Sequence, residues 1–98
     1  MNITKTKNGS NLQIALEGKL DTTTAPELDK IFAENLEGTT DLIIDMEKLS
    51  YISSAGLRSL LVAQKTMNKQ GTMKIRNVND LIMEVFNITG FVDILTIE

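Results

Sequence analysis

Apolar and polar residues alternate strictly from Asn11 to Glu17, with Leu12, Ile14 and Leu16 on one face and Gln13 and Ala15 on the other. That is the period-two pattern of a half-buried strand. Ile3 to Lys7 is β-prone but mostly polar, and Asn8-Gly9 between the two segments tolerates the positive φ of a tight turn. The pattern predicts an opening β-hairpin whose first strand is an edge. The period then changes: Leu28, Ile31, Phe32 and Leu36 recur at helical spacing, and Gly38 supplies a stop. Ahead of them, Thr24 as N-cap, Pro26 in the first turn and Glu27 three residues on read as a capping box.

Asp41-Leu42-Ile43-Ile44-Asp45-Met46 is a continuous apolar run between acids, which predicts a central strand covered on both faces. Ser54 to Gln70 reads as a helix with Leu57, Leu60, Leu61 and Met67 on one stripe and Gly71 beyond its end. Thr72 to Arg76 reads as a strand. Asn79 caps a third helix carrying Leu81, Ile82, Val85, Phe86 and Ile88, with Gly90 as its stop. Asp93 to Glu98 reads as a closing strand. The resulting order, ββαβαβαβ, requires parallel crossovers in its later part, so the fold class is α/β with a mixed central sheet and helices packed against it. In such sheets, ligands and partners meet the strand ends where the chain turns into a helix. Two such turns stand out, Gly18 to Thr24 and Leu49 to Gly56.

Composition narrows the chemistry. A chain of 98 residues that is 42% hydrophobic can pack one core and no second, so residues 1–98 are expected to form a single domain. It contains no Cys and no His, which removes disulfides, thiolate chemistry, Ser-His-Asp and Cys-His nucleophilic sites and most zinc sites. No cofactor and no metal are expected. Asp41 and Asp45 read as solvated strand ends in preference to a metal pair. The net charge of −3 without a basic cluster lacks the electrostatic footprint of nucleic-acid binding. The opening MNITKTKNGSNLQ has no apolar signal-peptide core, and no apolar run approaches the roughly 20 residues that span a bilayer. A soluble cytoplasmic protein without membrane insertion is therefore expected, and in that setting the N-x-[ST] matches at Asn2, Asn8 and Asn87 carry no glycosylation.

The most specific segment is DLIIDMEKLSYISSAGLRSLL, Asp41 to Leu61, a strand followed by a loop that delivers Ser53-Ser54-Ala55-Gly56 to the start of a helix. It resembles the STAS domain of bacterial anti-sigma factor antagonists. Gly18-Lys19-Leu20-Asp21 is similar to that family's G-x-L-D motif after its second strand, and Asn79 to Phe91 resembles its last helix and turn, so the likeness covers essentially the whole chain. The family also has a helix after its last strand, which a sequence ending at Glu98 is expected to lack. The phosphorylatable serine of the family, two residues before the glycine, falls on Ser54. Many antagonists have Asp before the acceptor; Ser53 stands there, which leaves Ser53 as the alternative acceptor.

The resemblance implies a protein-interaction module and no enzyme. Unphosphorylated, it binds an anti-sigma factor with serine kinase activity through Asp21, Thr22, Thr23, Ser53, Ala55 and Gly56, and frees a sigma factor. Phosphorylation at Ser54 releases the partner, and a serine phosphatase resets the switch. A STAS scaffold or accessory subunit of a stress-signalling complex or lipid-transport system, without the switch, is the competing reading.

Local physics offers plainer roles beside these. Ser53 or Ser54 is a favoured helix cap, Asp21 closes a turn through its own backbone bonds, and Gly56 without a Cβ lets another backbone approach closely. Arg58, one turn into the helix, is placed to pair with a phosphate or a partner carboxylate, or is a solvated helix former. Glu27, Asp29, Lys30 and Glu34 read as a solvated face. G-x-S-x-G is absent. A serine nucleophile would have only Lys19 or Lys48 as a base.

Overall fold

Helices return the chain to the same end of the sheet between successive strands, and three of the four strands consequently run parallel. The computed structural model describes residues 1–98. Strand β1 (Asn2–Asn8) pairs antiparallel with β2 (Asn11–Leu20), helix α1 (Ala25–Asn35) leads to β3 (Asp41–Ile52), α2 (Ser54–Asn68) to β4 (Thr72–Arg76), and α3 (Asp80–Thr89) follows. The sheet order is β1-β2-β3-β4, with β2, β3 and β4 mutually parallel. The hairpin turn falls on Gly9 and Ser10, with Gly9 at φ 63°.

Parallel strands that step one way across a sheet through right-handed crossovers put their helices on one face. The burial follows that rule. Leu12, Ile14 and Leu16 of β2, Leu42, Ile44 and Met46 of β3, and Met73 and Ile75 of β4 point into one core with Leu28, Phe32, Leu60, Met67, Ile82 and Phe86 of the helices. The opposite face is bare. Ile43, expected under cover on both sides, is half-buried in a row with Gln13 and Lys74, because no helix lies over that side.

β3 runs six residues beyond the predicted Met46, and its inward positions change spacing there. Met46, Leu49 and Ile52 are buried at intervals of three, where a regular strand repeats every two. The extra residues coincide with two register shifts against β2, between Ala15 and Glu17 and between Gly18 and Lys19. Bulges of this kind keep Leu49 and Ile52 in the core while polar neighbours face out.

Other expectations are corrected. The capping box does not form: Thr24 is helical at φ −99°, ψ −21° and makes no side-chain cap bond, its hydroxyl being turned back toward Lys19. α2 ends at Asn68, two residues before Gln70. Ile31, Leu61 and Val85 are only half-buried, and Leu81 and Ile88 are exposed. The closing strand is a short helical turn, Phe91–Asp93, and then one parallel bridge, Ile97 to Ile75. The left-handed Gly90 directs the chain into that turn, so only Thr96–Glu98 reaches β4: Thr96 C=O accepts from Ile75 N–H (2.9 Å), and Glu98 N–H donates to Ile75 C=O (2.9 Å). No helix is long and apolar enough to cross a membrane.

Candidate functional site

Parallel β2, β3 and β4 end on one rim of the sheet, and all three helices start there. The rim is therefore made of three turns: Asp21–Thr24 before α1, Ser53 before α2, and Asn77–Asn79 before α3. A backbone bond stitches the first two, Ser53 N–H donating to Leu20 C=O at 2.9 Å.

Asp21 organises the first turn. Its Oδ1 accepts from the N–H of Thr23 (2.9 Å) and of Thr24 (3.1 Å), while Thr24 Oγ1 accepts from Asp21 N–H (2.9 Å) and donates to Lys19 C=O (2.7 Å). Asp21 C=O also accepts from Ala25 N–H at 2.8 Å, opening α1. The carboxyl pKa lies below the ordinary aspartate value of 3.8, through the Thr24 N–H bond first, then those of Thr23 N–H and the Thr24 hydroxyl and the charge of Lys19, against opposing desolvation. A depressed folded pKa stabilises the protein above the unfolded value, and that contribution disappears as pH falls through the folded one. Asp21→Asn is therefore expected to unfold at lower urea than wild type at pH 7, with the gap closing once both carboxyl states are protonated in strong acid. A gap that persists unchanged in acid would contradict this role for the charge.

The two serines, of which the resemblance favours Ser54 and keeps Ser53 as the alternative, differ in their surroundings. Ser53 is the extended N-cap of α2 at φ −102°, ψ 177°, but its hydroxyl makes no cap bond; the oxygen is buried without a hydrogen-bond partner. Ser54 is the first helical residue and is exposed. Leu57 N–H closes the first turn on Ser53 C=O at 2.9 Å, so the N–H groups of Ser54, Ala55 and Gly56 lie outside the helical ladder. An anion on the Ser54 hydroxyl sits beside those donors and the positive end of the helix dipole.

Gly56 has a different task from the one expected. It is buried and faces inward: a Cβ there would lie 2.7 Å from Leu20 Cγ and 2.9 Å from Ile52 Cγ1. The missing side chain makes room for the core residues Leu20 and Ile52 that precede the two turns, where another backbone was expected to approach. Ala55 is half-buried against the same core. Thr22, Ser54, Ala55 and Arg58 come together as part of the lining of one open groove between α1 and α2, of about 1030 Å³, with Phe32, Leu36 and Ala63 contributing apolar wall. Thr23 is exposed nearby on the rim, outside that lining.

The third turn was legible only as a helix cap. Asn79 Oδ1 accepts from Ile82 N–H at 2.8 Å, as its spacing indicated, but its Nδ2 also donates to Leu49 C=O at 2.9 Å and so ties α3 to β3. Asn77 occupies the left-handed region at φ 58°, held by a 3.0 Å bond from its Nδ2 to Asp45 Oδ1. Asp45 is thus a mid-strand residue that fastens this turn, not a solvated strand end. Asp41, at the start of β3, accepts from the Thr72 hydroxyl at 3.2 Å. No group of three His, Cys, Asp or Glu could hold a metal ion, and no hydrogen bond joins Ser53 or Ser54 to Lys19 or Lys48.

A four-stranded mixed sheet with its helices on one face is an α/β domain. The STAS domain model matches residues 2–98, and the chain belongs to that family. It is 31% identical, over 100% of its own length and 91% of the relative's, to a Bacillus subtilis protein named anti-sigma-B factor antagonist. Two solved structures share the fold. The anti-sigma factor antagonist SpoIIAA in its unphosphorylated form has 17% identity and a TM-score of 0.78, covering 99% of this chain and 87% of that one. The Bacillus cell fate determinant SpoIIAA in its phosphorylated form has 18% identity and a TM-score of 0.78, covering 99% and 91%.

Proposed function

We propose that this protein is an anti-sigma factor antagonist whose rim binds an anti-sigma factor and is switched off by phosphorylation of Ser54. The observation that carries the reading is the contrast between the serines: Ser54 is open to solvent at the start of α2, whereas the Ser53 hydroxyl is buried. The family membership and the relatives' names support the antagonist role.

In the unphosphorylated protein, Thr22, Thr23, Ala55 and Arg58 present a mostly uncharged surface around Ser54, and Asp21 fixes its shape from within the turn. The partner is an anti-sigma factor with serine kinase activity: the Ser54 oxygen bonds to the γ-phosphorus of ATP as the bond to the bridging oxygen breaks and ADP leaves, and the hydroxyl proton passes to a base of the kinase. The ester adds about −1.5 to −2 charges to the rim that also carries the Asp21 carboxylate. The free N–H groups of the first helical turn hold that charge without unfolding α2, so the fold persists while the surface becomes repulsive to the partner. Hydrolysis by a serine phosphatase restores the hydroxyl. The protein itself performs no catalysis in this cycle, which takes place in the cytoplasm.

The test is direct. Incubation with the cognate kinase and ATP, followed by mass spectrometry, is expected to place one phosphate on Ser54 and none on Ser53. Ser54→Asp is expected to bind the anti-sigma factor at least about tenfold more weakly than wild type, with Ser53→Ala close to wild type. Equal binding by Ser54→Ala, Ser54→Asp and wild type would sink the switch and leave a scaffold role.

A further inference from the structure

α3 carries more apolar side chains than its seat on the sheet requires. Ile82 and Phe86, four residues apart, are fully buried in the core. Leu81 and Ile88, seven residues apart and so on one face two turns along, are 56% and 77% exposed. Val92 and Ile94, in and just after the following turn, are exposed as well. A helix that is apolar on two sides is suited to being covered on both, and large apolar groups gathered on an outer face mark an interaction surface.

Charge selects what covers it. From Asn77 to Glu98 the chain has Asp80, Glu84, Asp93 and Glu98 and no Lys or Arg. Glu98 is paired with Lys74 at 3.3 Å and Arg76 at 2.9 Å. Asp80, Glu84 and Asp93 are exposed, and none forms an ion pair. Glu84 lies three residues after Leu81 and four before Ile88, within the same exposed face. A second copy of the chain would set these carboxylates against one another, and an anionic lipid surface would repel them. A helix with Lys or Arg flanking an apolar stripe satisfies both the apolar and the acidic parts of the face.

We propose that the outer face of α3, formed by Leu81, Glu84 and Ile88, docks a cationic amphipathic helix of a partner protein. This surface is separate from the groove between α1 and α2 and does not depend on the state of Ser54.

The probe is a fluorescent model amphipathic helix made only of leucine and lysine, titrated against the whole protein, beside a counterpart with glutamate for every lysine. The leucine–lysine helix is expected to bind and the leucine–glutamate helix not to. Binding should weaken by at least about tenfold in Leu81→Ser/Ile88→Ser and again in Glu84→Lys, and stay unchanged in Tyr51→Ser, which removes an exposed apolar side chain elsewhere. All these positions are at the surface, and circular dichroism checks that each variant is folded. Equal binding of both helices, full affinity in the Leu81/Ile88 variant, an equal loss in Tyr51→Ser, or dimerisation of wild type abolished by Ile88→Ser would each overturn the proposal.

Discussion

Gly71→Ala is expected to destabilise the protein by about 3 kcal/mol or more and to lower its melting temperature by more than about 10 °C. The chain leaves α2 at this point with Gly71 N–H donating to Met67 C=O at 2.7 Å and Thr72 N–H donating to Thr40 C=O at 2.9 Å. Gly71 therefore passes directly over the Thr40 peptide, and a Cβ would overlap the Thr40 carbonyl. Neither side can yield cheaply. Thr40 N–H is bonded to Ser10 C=O at 2.9 Å, and β3 and β4 begin their pairing at Asp41 and Thr72. Separating the two backbones breaks the start of the parallel ladder. A melting temperature within about 3 °C of wild type would show that this crossing is looser than the geometry implies.

Gly56→Val is expected to act on stability and on binding together. The first added carbon already falls within 3.0 Å of Leu20 and Ile52, which are almost wholly buried, and valine adds two methyl groups behind it. Alanine at this helical position would recover about 1 kcal/mol of helix propensity against its own overpacking. Valine recovers less and crowds more, for a net loss of about 2–3 kcal/mol. Leu20 immediately precedes Asp21 and Ile52 immediately precedes Ser53, so the strain is passed to both turns of the rim. Anti-sigma factor binding should weaken by more than unfolding alone explains when measured under conditions where the variant is folded. Leu20→Ala should cost less stability in the Gly56→Val background than in wild type, a coupling readable in a double-mutant cycle. Strictly additive losses would mean that the glycine and Leu20 do not compete for the same space.

These two glycines also mark the limit of what sequence pattern conveys. The hairpin, the three helices and β4 were legible because each follows a single period: Leu12, Ile14 and Leu16 by twos, Leu28, Phe32 and Leu36 by fours. The second half of β3 was not, since bulges turned the period into threes at Met46, Leu49 and Ile52. The one-sided sheet was equally hidden. Ile43 and Ile44 are chemically alike, and only the direction in which strands step across the sheet decides which of them is covered. In the site, the alternation of strands and helices located the two turns, and the family resemblance singled out Ser54 and Asp21 within them. Three features were not legible: the burial of the Ser53 hydroxyl, the inward face of Gly56 and the joining of Asn77 to Asp45. The Asn77–Asp45 bond and the Leu20 side chain facing Gly56 join segments far apart in the chain, to which local propensity is blind.

The placement of Ser54 directly after Ile52 and Ser53 has a kinetic meaning. β3 is the longest strand, lies between β2 and β4 and supplies Leu42, Ile44, Met46, Leu49 and Ile52 to the core. Amides of a central, buried strand of this kind are expected to exchange hydrogen with solvent only when the whole domain unfolds, while the rim of a sheet ordinarily opens by local fluctuation. Ser53 N–H, fastened to Leu20 C=O, extends that protection one residue beyond the strand. For Ser54, the acceptor proposed above and the first residue of α2, this anchoring one residue upstream means that a kinase would meet it on a folded surface and not on a loose loop.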